Sequence, residues 1–294
     1  MIDNHLLEEL VTFSQTGTLA QTAQKFHLTQ PTITRGLQKL ETELGVQLFI
    51  RQPNRLSLTS TGRYAAQEAQ KLLQQNKSFH KNVRNYEISH RQIKIGSVAP
   101  GPVIILKYLR THLNRPFIIE DQLLRPENIL PQLQTNYLSI IITNQPLNTE
   151  MTTAKYLMQE RLAVNLDKFM DLASQKTVTF NQLKGKSFIV LQNIGIWKNI
   201  IQEQVPAAKF LYQEQQEALA EITKYSNFPY FSTNFTPFTQ HFPPNNGRNC
   251  VPIADQSAQM DFYAVYLTKN AHQLTPFINS LATACHQLIP NQPN

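Results

Sequence analysis

The sequence predicts an α/β protein headed by an all-α winged helix-turn-helix. Three observations predict it. Residues 18–45 read as two short helices around a tight turn. Two β-prone segments then flank a Pro53-Asn54 turn. From Arg91 onward, short strand-like segments interleave with helical ones, the order that builds a mostly parallel sheet.

The first helix spans His5 to Gln15, with Leu6, Leu7, Leu10, Val11 and Phe13 as its apolar face. Thr18-Leu19-Ala20-Gln21 has the form of a capping box and opens the second helix. His27-Leu28 turns the chain, and His27 reads as structural rather than as a ligand. Thr29 then caps a third helix that carries Pro31 in its first turn, where a missing N–H is harmless. Ile33, Leu37, Leu40 and Leu44 form one stripe on that helix, and Gly45 ends it. The opposite face, beginning with Thr29 and Pro31, presents Gln30, Thr32, Thr34, Arg35, Gln38 and Lys39. These are donors and acceptors suited to base edges and phosphates, and the face is expected to contact DNA.

The segments 46–51 and 55–59 predict a hairpin, the wing, with Arg51 and Arg55 flanking its tip. An arginine there can reach phosphate or a narrow minor groove; the plain alternative is two solvated side chains. A long helix over about 61–89 follows. Ala65, Ala69, Leu72, Asn76, Phe79, Val83 and Tyr86 recur along it as a heptad seam, with Asn76 a polar register-setting position. The seam has two readings, packing within the chain or pairing with a second copy.

From Leu10 to Gly62 the sequence resembles the DNA-binding domain of LysR-type transcriptional regulators. The matching residues include Gly17-Thr18-Leu19, Ala23, Leu28 to Arg35, Leu40-Glu41, Leu44-Gly45, Leu48-Phe49, Arg51, Leu58-Thr59 and Gly62. Thr22, Thr34 and Gly36 depart from the usual pattern, and Gly36 weakens the third helix. Past Ser89 the order of elements resembles the family's effector domain, two α/β subdomains joined by crossing strands, like a type 2 periplasmic binding protein.

The resemblance implies a winged helix-turn-helix over 1–60, a dimerisation helix over 61–89 and an effector domain over 90–294. Subdomain I would take about 90–161 and 268–294, and subdomain II about 162–267. It also implies double-stranded operator DNA, a small-molecule effector and contact with RNA polymerase as partners, in a homodimer or homotetramer. The effector would lie between the subdomains, against Ser97, Val98, Ala99, Pro100 and Gly101 on one side. Thr143, Asn144, Asn193, Ile194, Gly195 and Trp197 would face it. Ser97 and Asn193 would donate, unless they only cap helices. The helix N-terminus near Gly101 favours a carboxylate or phosphate. No lysine or arginine lies in these loops, so a small polar or singly charged ligand is expected, held mainly by neutral donors.

Composition agrees with this reading. The 294 residues carry a formal net charge of +7, which fits an anionic partner and also aids solubility. Between Lys25 and Arg63 the bases Lys25, Arg35, Lys39, Arg51, Arg55 and Arg63 face only Glu41 and Glu43, a local footprint for phosphate. Cys250 and Cys285 are the only cysteines and form no framework. No signal peptide and no apolar run of about 20 residues is present, so a soluble cytoplasmic protein away from membranes is expected. No Walker loop, GxGxxG, HExxH or GxSxG occurs, and no catalytic residue, metal site or cofactor is expected. Two rivals stand beside the regulator: a DNA binder with a ligand-independent assembly domain, and an enzyme fused to a DNA-binding domain. The aromatic, proline-rich run from Phe228 to Pro244 is open between pocket wall, oligomer contact and irregular packed loop.

Overall fold

In the computed structural model, which describes residues 2–53, 55–111, 113, 116–239 and 247–289, the chain divides into two compact units, 1–84 and 85–294. Asn54 at the wing turn and residues 240–244 of the aromatic run lie outside the described residues.

Unit one begins with α1 (Asn4–Thr16), α2 (Leu19–Phe26) and α3 (Gln30–Leu44). Each opens on a side-chain cap: Asp3 accepts from the His5 N–H, Thr18 from that of Gln21 and Thr29 from that of Thr32. Gly17 and Gly45 close α1 and α3 in the left-handed conformation. His27 takes the same conformation after α2, with φ 54°, unusual for a residue with a β-carbon. Leu10, Phe13, Ile33, Leu37 and Leu40 form a single core with Leu48 and Phe49. Leu44 does not join it and is 39 % exposed. The stripe therefore ends one turn before the helix does.

β1 (Phe49–Gln52) and β2 (Arg55–Leu58) pair antiparallel as the wing. Glu41 on α3 anchors it. Its Oε1 accepts from the N–H groups of Leu48 and Phe49 at 2.8 and 3.0 Å, and its Oε2 pairs with Arg51 at 2.6 Å. Thr59 caps α4 (Ser60–Arg91) by accepting from the Gly62 N–H at 2.8 Å. The boundary between the two units falls within α4, after Arg84.

Ala69 is buried in the first unit's core with Ala66, and Ala65 packs against it. The start of the seam is thus taken up inside the chain, because Ala66 and Ala69 face the helices they follow. Beyond it, Leu72, Phe79, Val83 and Tyr86 are between 46 and 64 % exposed, and Asn76 is exposed among them.

Unit two contains β3 (Ile93–Ser97), α5 (Pro100–Leu109), β4 (Phe117–Ile119), α6 (Ile129–Gln134), β5 (Ile140–Thr143) and the long β6 (Thr152–Asp167). There follow β7 (Ser187–Leu191), α7 (Trp197–Gln204), β8 (Lys209–Gln213), α8 (Gln216–Tyr225), β9 (Tyr230–Thr233), β10 (Arg248–Pro252), β11 (Gln259–Leu267) and α9 (Ala271–Leu288). One sheet runs β4-β3-β5-β11-β6-β9-β7-β8, with β10 also paired to β6. Its two ends, β4-β3-β5 and β9-β7-β8, are parallel; the middle pairs are antiparallel. The two parallel ends are the two halves that the alternating pattern predicts.

β6 joins them. Thr152 to Arg161 pairs with β11, while Leu162 to Asn165 pairs with β9 and Ala163 to Asp167 with β10. The sequence shows only Leu162-Ala163-Val164 as strand; polar residues such as Lys155, Gln159 and Arg161 hide the rest, because a strand between two halves presents alternate residues to different surroundings. The β6–β11 register shifts between Phe262 and Tyr263, whose partners Met158 and Tyr156 leave Leu157 of β6 as the extra residue. Where it is described, the aromatic run is part strand and part packed turn. Tyr230–Thr233 is a strand inside the sheet, and Phe235 beyond it is fully buried.

Candidate functional site

The first candidate surface is the outer face of α3. Ile33, Leu37 and Leu40 bury its inner face, so the residues between them must face outward. Gln30, Arg35 and Gln38 are exposed and, with Leu19, Pro31 and Thr34, line one shallow concavity. The hydroxyls nearby have local partners. Thr29 and Thr32 bond each other at 2.8 Å, and Thr34 donates to the Gln30 carbonyl at 2.9 Å. Lys39 lies 3.8 Å from Glu43, an exposed pair of little energetic weight. Arg51 is held by Glu41 at 2.6 Å, whereas Arg35 and Arg55 have no ion-pair partner among the described residues. Arg51 is therefore first a strut between α3 and the wing, and Arg55 is the cation presented at the wing tip.

The second candidate is a cavity of about 290 Å³ between the two halves of the sheet in unit two. Pro100, Gly101 and Ile104 from α5 form one wall. Asn193, Ile194 and Trp197 face them, with Leu219 from α8 and Phe231 to Thr233 from β9. Five of the effector residues expected from the sequence thus meet here: Pro100, Gly101, Asn193, Ile194 and Trp197. Gly195 closes one edge: its φ is +62°, and a β-carbon on it would stand 2.7 Å from Pro100 Cδ.

Ser97 does not reach the cavity. Its hydroxyl is buried, donates to the Ala99 carbonyl at 2.7 Å and accepts from the Ala99 N–H at 3.2 Å. Val98, Ala99, Thr143 and Asn144 also lie outside the lining, and the Thr143 hydroxyl donates to the Gln145 carbonyl at 2.7 Å. Ser97 instead stabilises the bend that starts α5.

The residue that sequence reasoning missed is Glu160 on β6. It lines the cavity and is 3 % exposed. The Trp197 indole N–H donates to its Oε2 at 2.9 Å. Burial pushes its carboxyl up to about 7, against the opposing pull of hydrogen bonds from Trp197 and Thr233. A β-carbon at Gly101 would come within 2.6 Å of Glu160 Oε1, so the carboxyl already lies against the first turn of α5. The position where a ligand's carboxylate or phosphate was expected is thus bordered by one of the chain's own. The signal was a lone acid in Leu157-Met158-Gln159-Glu160-Arg161-Leu162, unread because that stretch was not recognised as strand.

Comparison with known proteins gives the same assignment from another direction. Residues 5–63 match the model of the bacterial regulatory helix-turn-helix protein, lysR family. The Hca operon transcriptional activator HcaR of Escherichia coli is 26 % identical over 186 residues, 62 % of this chain and 63 % of that protein. The hydrogen peroxide-inducible genes activator of Haemophilus influenzae is 24 % identical over 191 residues, 64 % of each chain. Both alignments span under two thirds of the relative's length. The structure of a full-length OxyR variant from Pseudomonas aeruginosa covers 100 % of this chain and 99 % of its own, with a TM-score of 0.51 at 20 % identity. That likeness concerns the fold. Built and capped as described, residues 5–63 form a bacterial regulatory helix-turn-helix domain of the lysR family.

Proposed function

We propose that the protein is a sequence-specific DNA-binding transcriptional regulator, not an enzyme, whose activity is set by a small molecule held between the halves of its C-terminal unit. The observation that carries it is the outer face of α3. Gln30, Arg35 and Gln38 stand exposed on a helix fixed from behind by Ile33, Leu37 and Leu40, in the domain that matches the regulatory family. Arg35 suits a bidentate contact to guanine and Gln30 or Gln38 to adenine. Thr29, Pro31, Thr32, Thr34 and Lys39 set the approach to the backbone, Arg55 reaches flanking phosphate, and Arg51 acts through the wing.

The exposed seam from Leu72 to Val83 supports a homodimer or a tetramer built from dimers, which would present two recognition helices to a partly symmetric operator. The cavity around Glu160 and Trp197 supports an effector site rather than a bare assembly scaffold. A bound effector would favour one arrangement of the assembly and so alter DNA bending or contact with RNA polymerase, which requires unequal affinity for the two arrangements. Such a protein works beside the chromosome, in the cytoplasm; among the described residues no helix is long and apolar enough to cross a membrane. The peroxide response in one relative's name is not carried over. The Cys285 thiol is buried and pushed up to about 12, the opposite of a reactive thiolate.

Footprinting on the regions upstream of the neighbouring genes tests the reading. A protected site with two half-sites about one helical turn apart is expected. Equal affinity for that site and for random DNA at one salt concentration would overturn it.

A further inference from the structure

Among the described residues that line the cavity Glu160 is the single ionisable side chain, and none of them is a lysine, arginine or histidine. The elements packed around its carboxyl contribute uncharged groups. α5 contributes Pro100, Gly101 and Ile104, α7 the Trp197 indole, and β9 Thr233; Met260 is its cross-strand neighbour on β11. On β6 itself, Gln159 and Arg161 lie on the other face, where Arg161 Nε donates to Gln159 Oε1 at 2.9 Å. A carboxylate or phosphate entering here would meet a like charge with no cation among the described lining residues to offset it, in a site drier than water.

We propose that the cleft takes a small, largely apolar primary amine, whose ammonium group pairs with the Glu160 carboxylate while its hydrocarbon part lies among Ile104, Leu162, Leu219 and Phe231. This rests on the effector reading above and names the effector's chemical class. An isolated buried carboxylate is costly, and a cation beside it removes the cost. Glu160 is buried with hydrogen bonds from Trp197 and Thr233 but with no cation beside it among the described lining residues, and burial outweighs those bonds in raising its proton affinity. The Trp197 N–H fixes one carboxylate oxygen and so sets the direction in which the carboxylate meets the ammonium group. Gly101 is required for this geometry, because a side chain there would displace the carboxyl.

Calorimetric titration of the full chain with 2-phenylethylamine, 2-phenylethanol and phenylacetate tests it, since the three share a ring and differ in head group. The amine is expected to bind most tightly and phenylacetate least. Its affinity rises about tenfold from pH 6 to pH 8, as Glu160 loses its proton. Titrations in buffers of different ionisation enthalpy should show the proton released. Glu160→Gln should weaken the amine about tenfold or more, with a thermal melt confirming that the variant is folded. The pH profile needs no variant and stands if Glu160→Gln does not fold. Phenylacetate binding as tightly as the amine, an amine affinity indifferent to pH, or no amine binding would each overturn the proposal. Whether any occupant of the cleft changes operator affinity is a separate measurement, so the effector reading and its amine chemistry fail independently.

Discussion

Glu9 on the first helix lies directly against Gly36 on the recognition helix. A β-carbon built on Gly36 would stand 2.8 Å from Glu9 Cδ and would collide with Oε2. Glu9 is 2 % exposed, and burial raises its carboxyl above the usual range, with His5, 3.6 Å away, pulling in the opposite direction. The glycine that weakens α3 as a helix is thus the one that lets α1 approach. Gly36→Ala should destabilise the first unit by about 1–3 kcal/mol through overpacking, although an interior alanine alone would favour the helix by up to about 1 kcal/mol. Glu9→Ala in the same chain should recover part of the loss. Urea denaturation of the two single variants and the double variant measures the coupling; additive effects would mean that the two residues do not meet.

Glu160 gives a pH-dependent prediction. Its folded value of about 7 lies above the ordinary 4.5, so the folded state binds the proton more tightly than the unfolded chain. The stability it confers is complete below about pH 4.5 and is lost as pH rises through 7. Glu160→Gln keeps an acceptor for Trp197 and cannot ionise. The variant should therefore gain on the wild type as pH rises, by on the order of 2–3 kcal/mol at pH 8 relative to pH 4. Thermal melts across that range check it. A constant difference would show that Glu160 does not hold its proton inside the fold.

The arginines of the DNA face should separate by role. Arg35→Ala is expected to weaken operator binding by about 1–3 kcal/mol and random DNA much less. Arg55→Ala should weaken both alike and lower the salt slope by about one. Arg51→Ala should act mainly on stability, by up to about 1 kcal/mol, because its partner is Glu41. Gel shifts at several salt concentrations sort the three. Equal losses on operator and random DNA for Arg35→Ala would make it a phosphate anchor.

Association should depend on the exposed half of the α4 seam. Phe79 is 64 % exposed and Val83 54 %. Phe79→Asp with Val83→Asp should dissociate the assembly, while Asn76→Leu should keep or strengthen it and loosen its register. Sedimentation at micromolar concentration reads both. A monomeric wild type would rule the dimer out.

Much of the first unit was legible because its signals are local. The caps at Thr18 and Thr29 and the closing Gly45 depend on residues only a few positions away, whereas the Asp3 cap and the left-handed Gly17 were found only in the structure. The grip of Glu41 on the wing and the fit of Glu9 to Gly36 were not legible, since both join residues that periodicity treats separately. In unit two the parallel strands were legible, β3 by its alternation and β5 and β7 as apolar runs. β9 was not, because Phe228-Pro229-Tyr230 resembles turn composition; neither was the full β6, where polar residues interrupt the run. The cavity inherits that difference. Its walls from α5 and α7 were found, and its one acid, on the unread strand, was not.

Glu160 also lies just before β6 leaves β11 for β9 and β10, and the β6–β11 register shifts between Phe262 and Tyr263 nearby. A register shift bends a strand and adds twist. β6 joins the halves of the sheet, and its extra residue Leu157 lies three positions before the acid. Drawing α5 and α7 together around an occupant would then act as a torque on the β6–β11 pair where its register shifts, converting the chemistry of one carboxyl into rotation of one half against the other. Hydrogen exchange at the amides of Phe262 and Tyr263 should slow when the cleft is filled; unchanged exchange there would place the pivot elsewhere.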